Sequence, residues 1–444
     1  MLITEESILS ADEVRPTLSK HMLTDGYPFV LDMKNSQGVH LVDAKTGRVF
    51  FDFFTFFASS PLGMNHPKMR SDDEFLTRLM EAALNKVSNS DVYTRHLAHC
   101  VQTYSRVGIP SYLPKLFFVS GGALAVENAL KTAFDWKVRK NFKKGYTTEK
   151  GHQVLHFERA FHGRTGYTMS MTNTIPMKVA YFPKFDWPRV VCPAANGRLT
   201  DEKLEAVIAR EKLAVEQMKT AFTERKDDIA AIIIEPIQGE GGDNHFRPEF
   251  LQVLRQLADE NESLLIFDEV QTGVGLTGTF WAHQGLGVRP DILAFGKKTQ
   301  VCGILAGDRI DEVEDNVFRF AGRINSTWGG NLVDMVRFDR ILEIIEEDEL
   351  VENAAEMGRV LQRRLVDLSE RFDFVTSPRG RGLMCAFDLP TTEIRDRVRK
   401  IAFDKGLLIL GCGASTLRFR PRLAITKDEL DEGMGILTEV LSEL

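Results

Sequence analysis

The sequence predicts an α/β protein: a mainly parallel sheet covered by helices, joined to a smaller α+β lobe. Three observations predict it. Apolar runs of strand length alternate with longer helical stretches, the pattern left by a sheet buried on both faces. Each run stops at a Gly, Ser, Asp or Glu, so polar groups gather along one edge of the sheet, where open α/β sheets bind ligands. The C-terminal part reads differently, as amphipathic helices with short strands between them.

In chain order, strands are expected at Lys115–Val119, Val154–Phe157, Ile229–Glu235, Leu264–Asp268 and Ile292–Phe295. Helices are expected at Leu124–Arg139, Asp201–Thr223 and Pro248–Asn261. Further on, Leu350–Glu370 and Thr426–Leu444 carry helical periodicity around short strands at Gly382–Asp388 and Leu417–Phe419. No internal repeat, low-complexity tract or Pro/Gly linker interrupts the chain.

With 444 residues the chain is long enough for two domains. Its 43% hydrophobic and 27% charged residues are those of an ordinary globular protein. A formal net charge of −7 offers no basic field for nucleic acid or an anionic membrane surface. The five cysteines, Cys100, Cys192, Cys302, Cys385 and Cys412, are scattered and form no CxxC pair. They read as free thiols in a reducing cytoplasm rather than as a disulfide framework or zinc site. The stretch MLITEESILSADEVRP is acidic and has no apolar core, so no signal peptide is expected. No apolar run approaches the roughly 18 residues that span a bilayer. A cytoplasmic protein is expected.

The strongest chemical signal is a set of three strand ends. Leu264–Asp268 runs into Glu269-Val270-Gln271-Thr272-Gly273, an apolar strand closing on two acids and a glycine turn. About 29 residues beyond Asp268, Pro290–Phe295 ends in Gly296-Lys297. Ile232–Ile234 ends in Glu235, followed by Gln238-Gly239-Glu240. A buried acid and a buried lysine at neighbouring strand tips suit pyridoxal 5'-phosphate. The acid, Asp268, pairs with a protonated pyridine nitrogen, and the lysine, Lys297, with its pKa lowered by desolvation, attacks the aldehyde and later shuttles a proton. Alone, an Asp and a Lys at strand ends could equally be a cap and an ion pair.

Two further motifs add to this. Ser120-Gly121-Gly122-Ala123 opens the helix at Leu124, and small residues at a helix N-terminus leave N–H groups free for a phosphate. Such turns are common structural punctuation and gain weight only beside an independently argued phosphate. Phe161-His162-Gly163-Arg164 follows a strand and offers an aromatic face for stacking on a pyridine ring. The stretch Asn325–Asn331 is polar and glycine-rich and reads as a functional loop or a turn.

Taken together, these motifs resemble the class III aminotransferases. Leu265, Asp268-Glu269-Val270, Gly273, Asp291, Gly296-Lys297 and Cys302-Gly303 carry the family's signature, and the motif order agrees from Asp52 to Arg418. The stretches Phe54–Ser60, Asn85–Asp91, Gly121–Asn128, Pro183–Pro188 and Asn325–Asn331 are most similar to members that move the ε-amino group of L-lysine to 2-oxoglutarate.

The resemblance implies a fold type I transferase. Residues 81–329 would form a large cofactor-binding domain with a mainly parallel seven-stranded sheet. Residues 1–80 together with 330–444 would form the small domain. Lys297 would carry the cofactor as a Schiff base, with Asp268 on the pyridine nitrogen, Phe161 and Val270 on the two ring faces, and Gln271 on the phenolic oxygen. Gly122 and Ala123 would bind the phosphate through backbone N–H groups, with Thr327 arriving from the partner of a homodimer. Arg164 would take the α-carboxylate of lysine and the far carboxylate of 2-oxoglutarate, and Arg418 the α-carboxylate of 2-oxoglutarate. Guanidinium–carboxylate pairing suits both. Glu240 would neutralise Arg418 when lysine is bound and swing away for the diacid. Phe57 and Asn325 would border the substrate pocket. Two departures from the family pattern stand out: Gly122-Ala123 lacks the usual hydroxyl residue, and Phe57 is bulky where a smaller side chain leaves more room.

Other readings draw on the same residues. Leu264–Glu269 resembles a Walker B strand of an ATPase, but the full GxxxxGK[ST] pattern is absent around Lys297. Within the family, transamination of ornithine or 4-aminobutyrate and an intramolecular aminomutase use the same framework.

Overall fold

In the computed structural model, residues 9–444 are described. The first eight residues of the acidic N-terminal stretch lie outside them. Seven strands form the central sheet: β1 (Lys115–Val119), β2 (Gln153–Phe157), β3 (Arg189–Val190), β4 (Ile229–Ile234), β5 (Leu264–Asp268), β6 (Ile292–Phe295) and β7 (Cys302–Ala306). Their spatial order is β1-β7-β6-β5-β4-β2-β3. All pairings are parallel except those of β7, which runs antiparallel to both β1 and β6.

The period-two geometry of these strands divides their side chains between two cores. Ala231, Ile233, Leu264 and Ile266 face one side, against Ala125, Ala129 and Trp136 of the helix Gly122–Lys143. Ile232, Ile234, Leu265 and Phe267 face the other, against Met218 of Asp201–Glu224 and Phe250 and Leu254 of Pro248–Glu260. Both faces are covered, so β4 and β5 are apolar at nearly every position. That is why their polar ends stood out in the sequence.

The N-terminal and C-terminal parts of the chain share structure. Leu407–Leu408 adds in parallel to Val49–Asp52, which pairs with His40–Val42. A four-stranded antiparallel sheet is built from Thr376–Arg381, Met384–Asp388, Thr416–Phe419 and Leu410–Cys412. The expected helices in this part span Leu350–Arg371 and Lys427–Ser442. Helices at Asp73–Leu84, Arg95–Val107, Leu332–Glu347 and Thr392–Asp404 complete the cover. Among the described residues no helix is long and apolar enough to cross a membrane. All five cysteines are buried and free.

Asp291 shows what holds the far edge of the sheet. Its Oδ2 accepts from Leu265 N at 2.7 Å, Arg255 Nη1 at 2.9 Å and Arg309 Nη1 at 3.2 Å. One carboxylate thus ties the start of β5 to a helix and to the turn after β7. Asp291→Ala strands a buried N–H and takes one of their carboxylates from two arginines that keep Asp259. It should destabilise the protein by about 2–3 kcal/mol, read as a lower urea midpoint with an unchanged slope.

Candidate active site

The carboxyl ends of β1, β2, β4, β5 and β6 open onto a cavity of about 1190 Å³. At one end stands the N-terminus of Gly122–Lys143. Its cap, Gly121, adopts φ 109°, a conformation open to glycine, and has no side-chain cap. Ala125 N donates to Gly121 O at 3.0 Å, which leaves the N–H groups of Gly122, Ala123 and Leu124 without intrahelical acceptors. Beside them Val270 is wedged between two glycines. A Cβ on Gly122 would lie 3.0 Å from Val270 Cγ1, and one on Gly296 would lie 3.3 Å from the same atom.

Asp268 ends β5 and is buried. Its Oδ2 lies 2.8 Å from Nδ1 of the buried His162, and its Oδ1 accepts from Val270 N at 3.1 Å. A carboxylate can only accept, so His162 donates from Nδ1. Its Nε2 is buried without a partner. The neighbouring acid acts elsewhere. Glu269 caps the helix Ala282–Leu286 through Ala282 N and His283 N, and also holds His283 Nδ1.

Glu235, just past β4, joins two parts of the site. It accepts from Phe161 N at 2.9 Å and from Gly239 N at 3.1 Å. It thereby fixes the half-buried Phe161 relative to the loop that carries Glu240. Burial raises its carboxyl to about 7, against the pull of His162 and with a contribution from Asp268.

Lys297 opens a one-turn helix, Lys297–Thr299, with φ 55°. Burial, joined by the positive charge of Arg418, pushes its ammonium down to about 8, although Asp268 and Glu235 oppose the shift. An amine in that range keeps a neutral, nucleophilic fraction near physiological pH that an ordinary lysine lacks.

Two arginines differ in state. Arg164 lines the cavity, is exposed and has no ion-pair partner among the described residues. Arg418, at 2% exposure, meets Glu240 Oε2 with Nη2 at 3.4 Å, while its Nε and Nη1 have no partner. The other oxygen of Glu240 accepts from Lys178 Nζ. Burial works to raise the Glu240 carboxyl, but Arg418 and Lys178 hold it below its usual range.

The sequence profile described as Aminotransferase class-III matches residues 22–441. The chain belongs to the class-III aminotransferase family. L-lysine-epsilon aminotransferase of Mycobacterium tuberculosis is 55% identical over 431 residues, covering 97% of this chain and 95% of the relative. The enzyme of that name from Amycolatopsis lactamdurans is 52% identical over 434 residues, covering 97% and 96%. The solved lysine aminotransferase of M. tuberculosis superposes with a TM-score of 0.96 at 54% identity, covering 98% of this chain and 100% of that one.

Members of this class-III family work with pyridoxal 5'-phosphate, and the residues present fit it. Three free N–H groups at a helix N-terminus suit the phosphate. A carboxylate already oriented by His162 suits the pyridine nitrogen, and a desolvated amine suits the aldehyde. Val270 and Phe161 both line the cavity between these points.

The structure brings together Gly122, Ala123, Phe161, Arg164, Glu240, Asp268, Val270, Gln271 and Lys297 at one cavity, with Arg418 behind Glu240. Gln271 has its Oε1 held by Arg420 Nε at 3.0 Å and Nη2 at 2.8 Å, so its Nε2 is the end left for the cavity. Three residues lie apart. Phe57 is 50% exposed, and the aromatic of its turn that lines the cavity is Phe56. Asn325 and Thr327 are exposed on their loop, away from this chain's own cavity.

Sequence reasoning gave no role to Glu235, although it ends one of the three strands singled out, and did not mark His162, Lys178, Lys298 or Arg420 as parts of the site. The signal for Glu235 and Arg420 was present, since each abuts a motif already singled out. Nothing local marked Lys178.

The depressed ammonium makes a test. Uptake of pyridoxal phosphate by the cofactor-free protein should accelerate as pH rises through about 8 and then level off. An inflection near the ordinary 10.5 would contradict the burial argument. Borohydride should then fix the cofactor to residue 297, and Lys297→Ala should retain none covalently.

Proposed function

We propose that this protein transfers the ε-amino group of L-lysine to 2-oxoglutarate. The products are L-2-aminoadipate 6-semialdehyde, which cyclises to 1-piperideine-6-carboxylate, and L-glutamate. The observation that carries the reading is the unequal pair of arginines: Arg164 open and unpaired, Arg418 buried and partly neutralised by Glu240. The two M. tuberculosis matches, one in sequence and one in structure, support it.

Bound pyridoxal phosphate supplies the carbonyl that receives the amino group and the ring that draws electrons from the substrate carbon. The chain supplies placement and proton handling. Gly122 and Ala123 would hold the phosphate, Asp268 would keep a proton on the pyridine nitrogen, and Phe161 and Val270 would pack on the ring. Lys297 Nζ would be placed to take the proton from the carbon that bears the leaving amine and to deliver it on the far side of that nitrogen.

Lysine presents one carboxylate, which Arg164 binds, and a methylene chain that runs toward Arg418. A bare guanidinium there would be a buried unpaired charge, and Glu240 removes it. 2-Oxoglutarate presents two carboxylates. Its second takes Arg418, provided that Glu240 withdraws.

The functional unit in this reading is a homodimer in the cytoplasm. Thr327 of the partner subunit reaches the phosphate. Exposure of Thr327 and Trp328 in this chain, with Leu84, Val92 and Tyr93 exposed as well, supports a partner covering this side. Residues 81–329 form the cofactor-binding domain. Residues 1–80 and 330–444 form the small one, a division supported by the pairing of Leu407–Leu408 with Val49–Asp52.

Half-reactions with lysine, ornithine, 4-aminobutyrate and glutamate test the assignment. Lysine and glutamate should bleach the visible band fastest, and the lysine product should be trapped as a cyclic imine. Preference for ornithine or 4-aminobutyrate would overturn it. Glu240→Ala should slow the lysine half-reaction about ten-fold or more while sparing that of glutamate. Equal losses in both would remove Glu240 from the scheme.

A further inference from the structure

Glu240 has two cationic partners, and they hold different oxygens. Lys178 Nζ pairs with Oε1, and Arg418 Nη2 reaches Oε2 at the long distance of 3.4 Å. One contact can therefore break while the other persists. The backbone beneath is fixed. Gly413 N donates to Glu240 O at 2.9 Å. Gln238 and Asn244 exchange backbone hydrogen bonds at 3.0 and 2.9 Å on either side of the loop. A Cβ at Gly241 would lie 2.0 Å from Arg159 O, so the loop already presses on its neighbour. Any withdrawal of Glu240 is thus a rotation of its side chain alone.

The cations are not equivalent. Lys178 closes the short turn Pro176–Lys178, its side chain is 27% exposed, and its ammonium lies 5.5 Å from the centroid of the Phe161 ring. It keeps contact with water and an aromatic face whatever Glu240 does. Arg418 has a 2% exposed side chain and two nitrogens without partners, so it needs an anion at all times.

We propose that Lys178 is the pivot of Glu240, holding Oε1 while Oε2 leaves Arg418, and that it thereby sets how readily the site admits a dicarboxylate. The inference rests on the role given to Glu240 above and deepens it. Lys178 is a positioning residue, acting on substrate through Glu240. Without it, a withdrawn carboxylate would be largely buried and unpaired. Glu240 would instead turn both oxygens to Arg418, and a diacid would have to displace a tighter pair. An acid with an apolar tail leaves the Glu240–Arg418 contact in place and is indifferent to Lys178.

Titration calorimetry of the pyridoxal-phosphate-loaded enzyme tests this with two unreactive acids. Glutarate carries two carboxylates, and hexanoate carries one at the end of an apolar chain. Lys178→Met should weaken glutarate about five-fold and change hexanoate by less than about two-fold, and Lys178→Arg should restore glutarate. Glu240→Ala should tighten glutarate relative to hexanoate, and adding Lys178→Met to it should then change neither. Unchanged glutarate binding in Lys178→Met overturns the proposal. So does equal weakening of both acids, which marks a structural role. A glutarate loss that persists in the Glu240→Ala background also overturns it, because Lys178 would then touch the diacid itself. If Glu240→Ala leaves the ratio of the two acids unmoved, the role of Glu240 falls and the pivot with it. A null result confined to Lys178→Met removes the pivot alone.

Discussion

The buried ion pair between Arg420 and Asp243 is the contact on which the arrangement depends. Both side chains have no exposure, and the contact is bidentate, at 2.5 and 2.9 Å. Arg420 follows the strand Thr416–Phe419, and Asp243 lies in the loop beyond β4. The same guanidinium holds Gln271, past the end of β5, while the Arg420 backbone accepts from Thr55 Oγ1 at 2.6 Å and donates to Phe53 O at 2.8 Å. One residue therefore joins the N-terminal segment, two loops of the large sheet and the C-terminal sheet. Such a pair is costly to desolvate, and removing one partner would strand the other charge in the protein interior. Its return is geometric: Arg418, two residues earlier on the same strand, is delivered to the cavity at a fixed height above Glu240.

Charge balance within the cavity follows from that delivery. Around Lys297, burial and Arg418 act to remove the proton, while Asp268 and Glu235 act to keep it. Burial dominates, and the amine becomes reactive without any base being dedicated to it. Lys298, the next residue, is also buried, and burial pushes its ammonium well down. It is nevertheless occupied, donating to Gln271 O at 2.6 Å and Ala58 O at 3.3 Å. Two adjacent lysines thus divide into one that reacts and one that binds the scaffold, and the division comes from which carbonyls lie within reach.

Much of this was legible in the sequence, for a definite reason. β5 and β6 are buried on both faces, so their apolar runs end abruptly at Asp268 and Gly296-Lys297, and the expected limits coincide with the observed ones. β7 was not anticipated. It starts three residues after the turn at Lys297–Thr299 and runs antiparallel, so no crossover helix announces it. β3 has two residues and no periodicity to detect. The two acids Asp268 and Glu269, adjacent in the sequence, serve different ends. Asp268 ends β5 and faces the cavity, whereas Glu269, the first residue beyond the strand, caps a helix. Lys178 met Glu240 across 62 residues of chain, which composition and spacing do not encode.

The least legible element is the turn that borders the substrate side. Thr55, Phe56, Phe57 and Ala58 have φ of 39°, 51°, 61° and 64°, a left-handed turn without a glycine. Each such residue costs roughly 1–2 kcal/mol, and a β-branched Thr there is rare. The surroundings must over-determine the conformation for it to persist. They do so from both ends. Asp52 Oδ1 accepts from Phe54 N at 2.7 Å and Thr55 N at 2.8 Å. At the far end Lys298 holds Ala58 O, and Gln300 Nε2 donates to Ser59 O at 2.8 Å. Lys298 lies within the turn that opens with Lys297, and Gln300 caps it, so the strained segment is clamped by the same few residues that place the reactive amine. The strain positions Phe56 against the cavity and turns Phe57 outward. Substrate wall and nucleophile consequently share one rigid support, and neither can shift without the other.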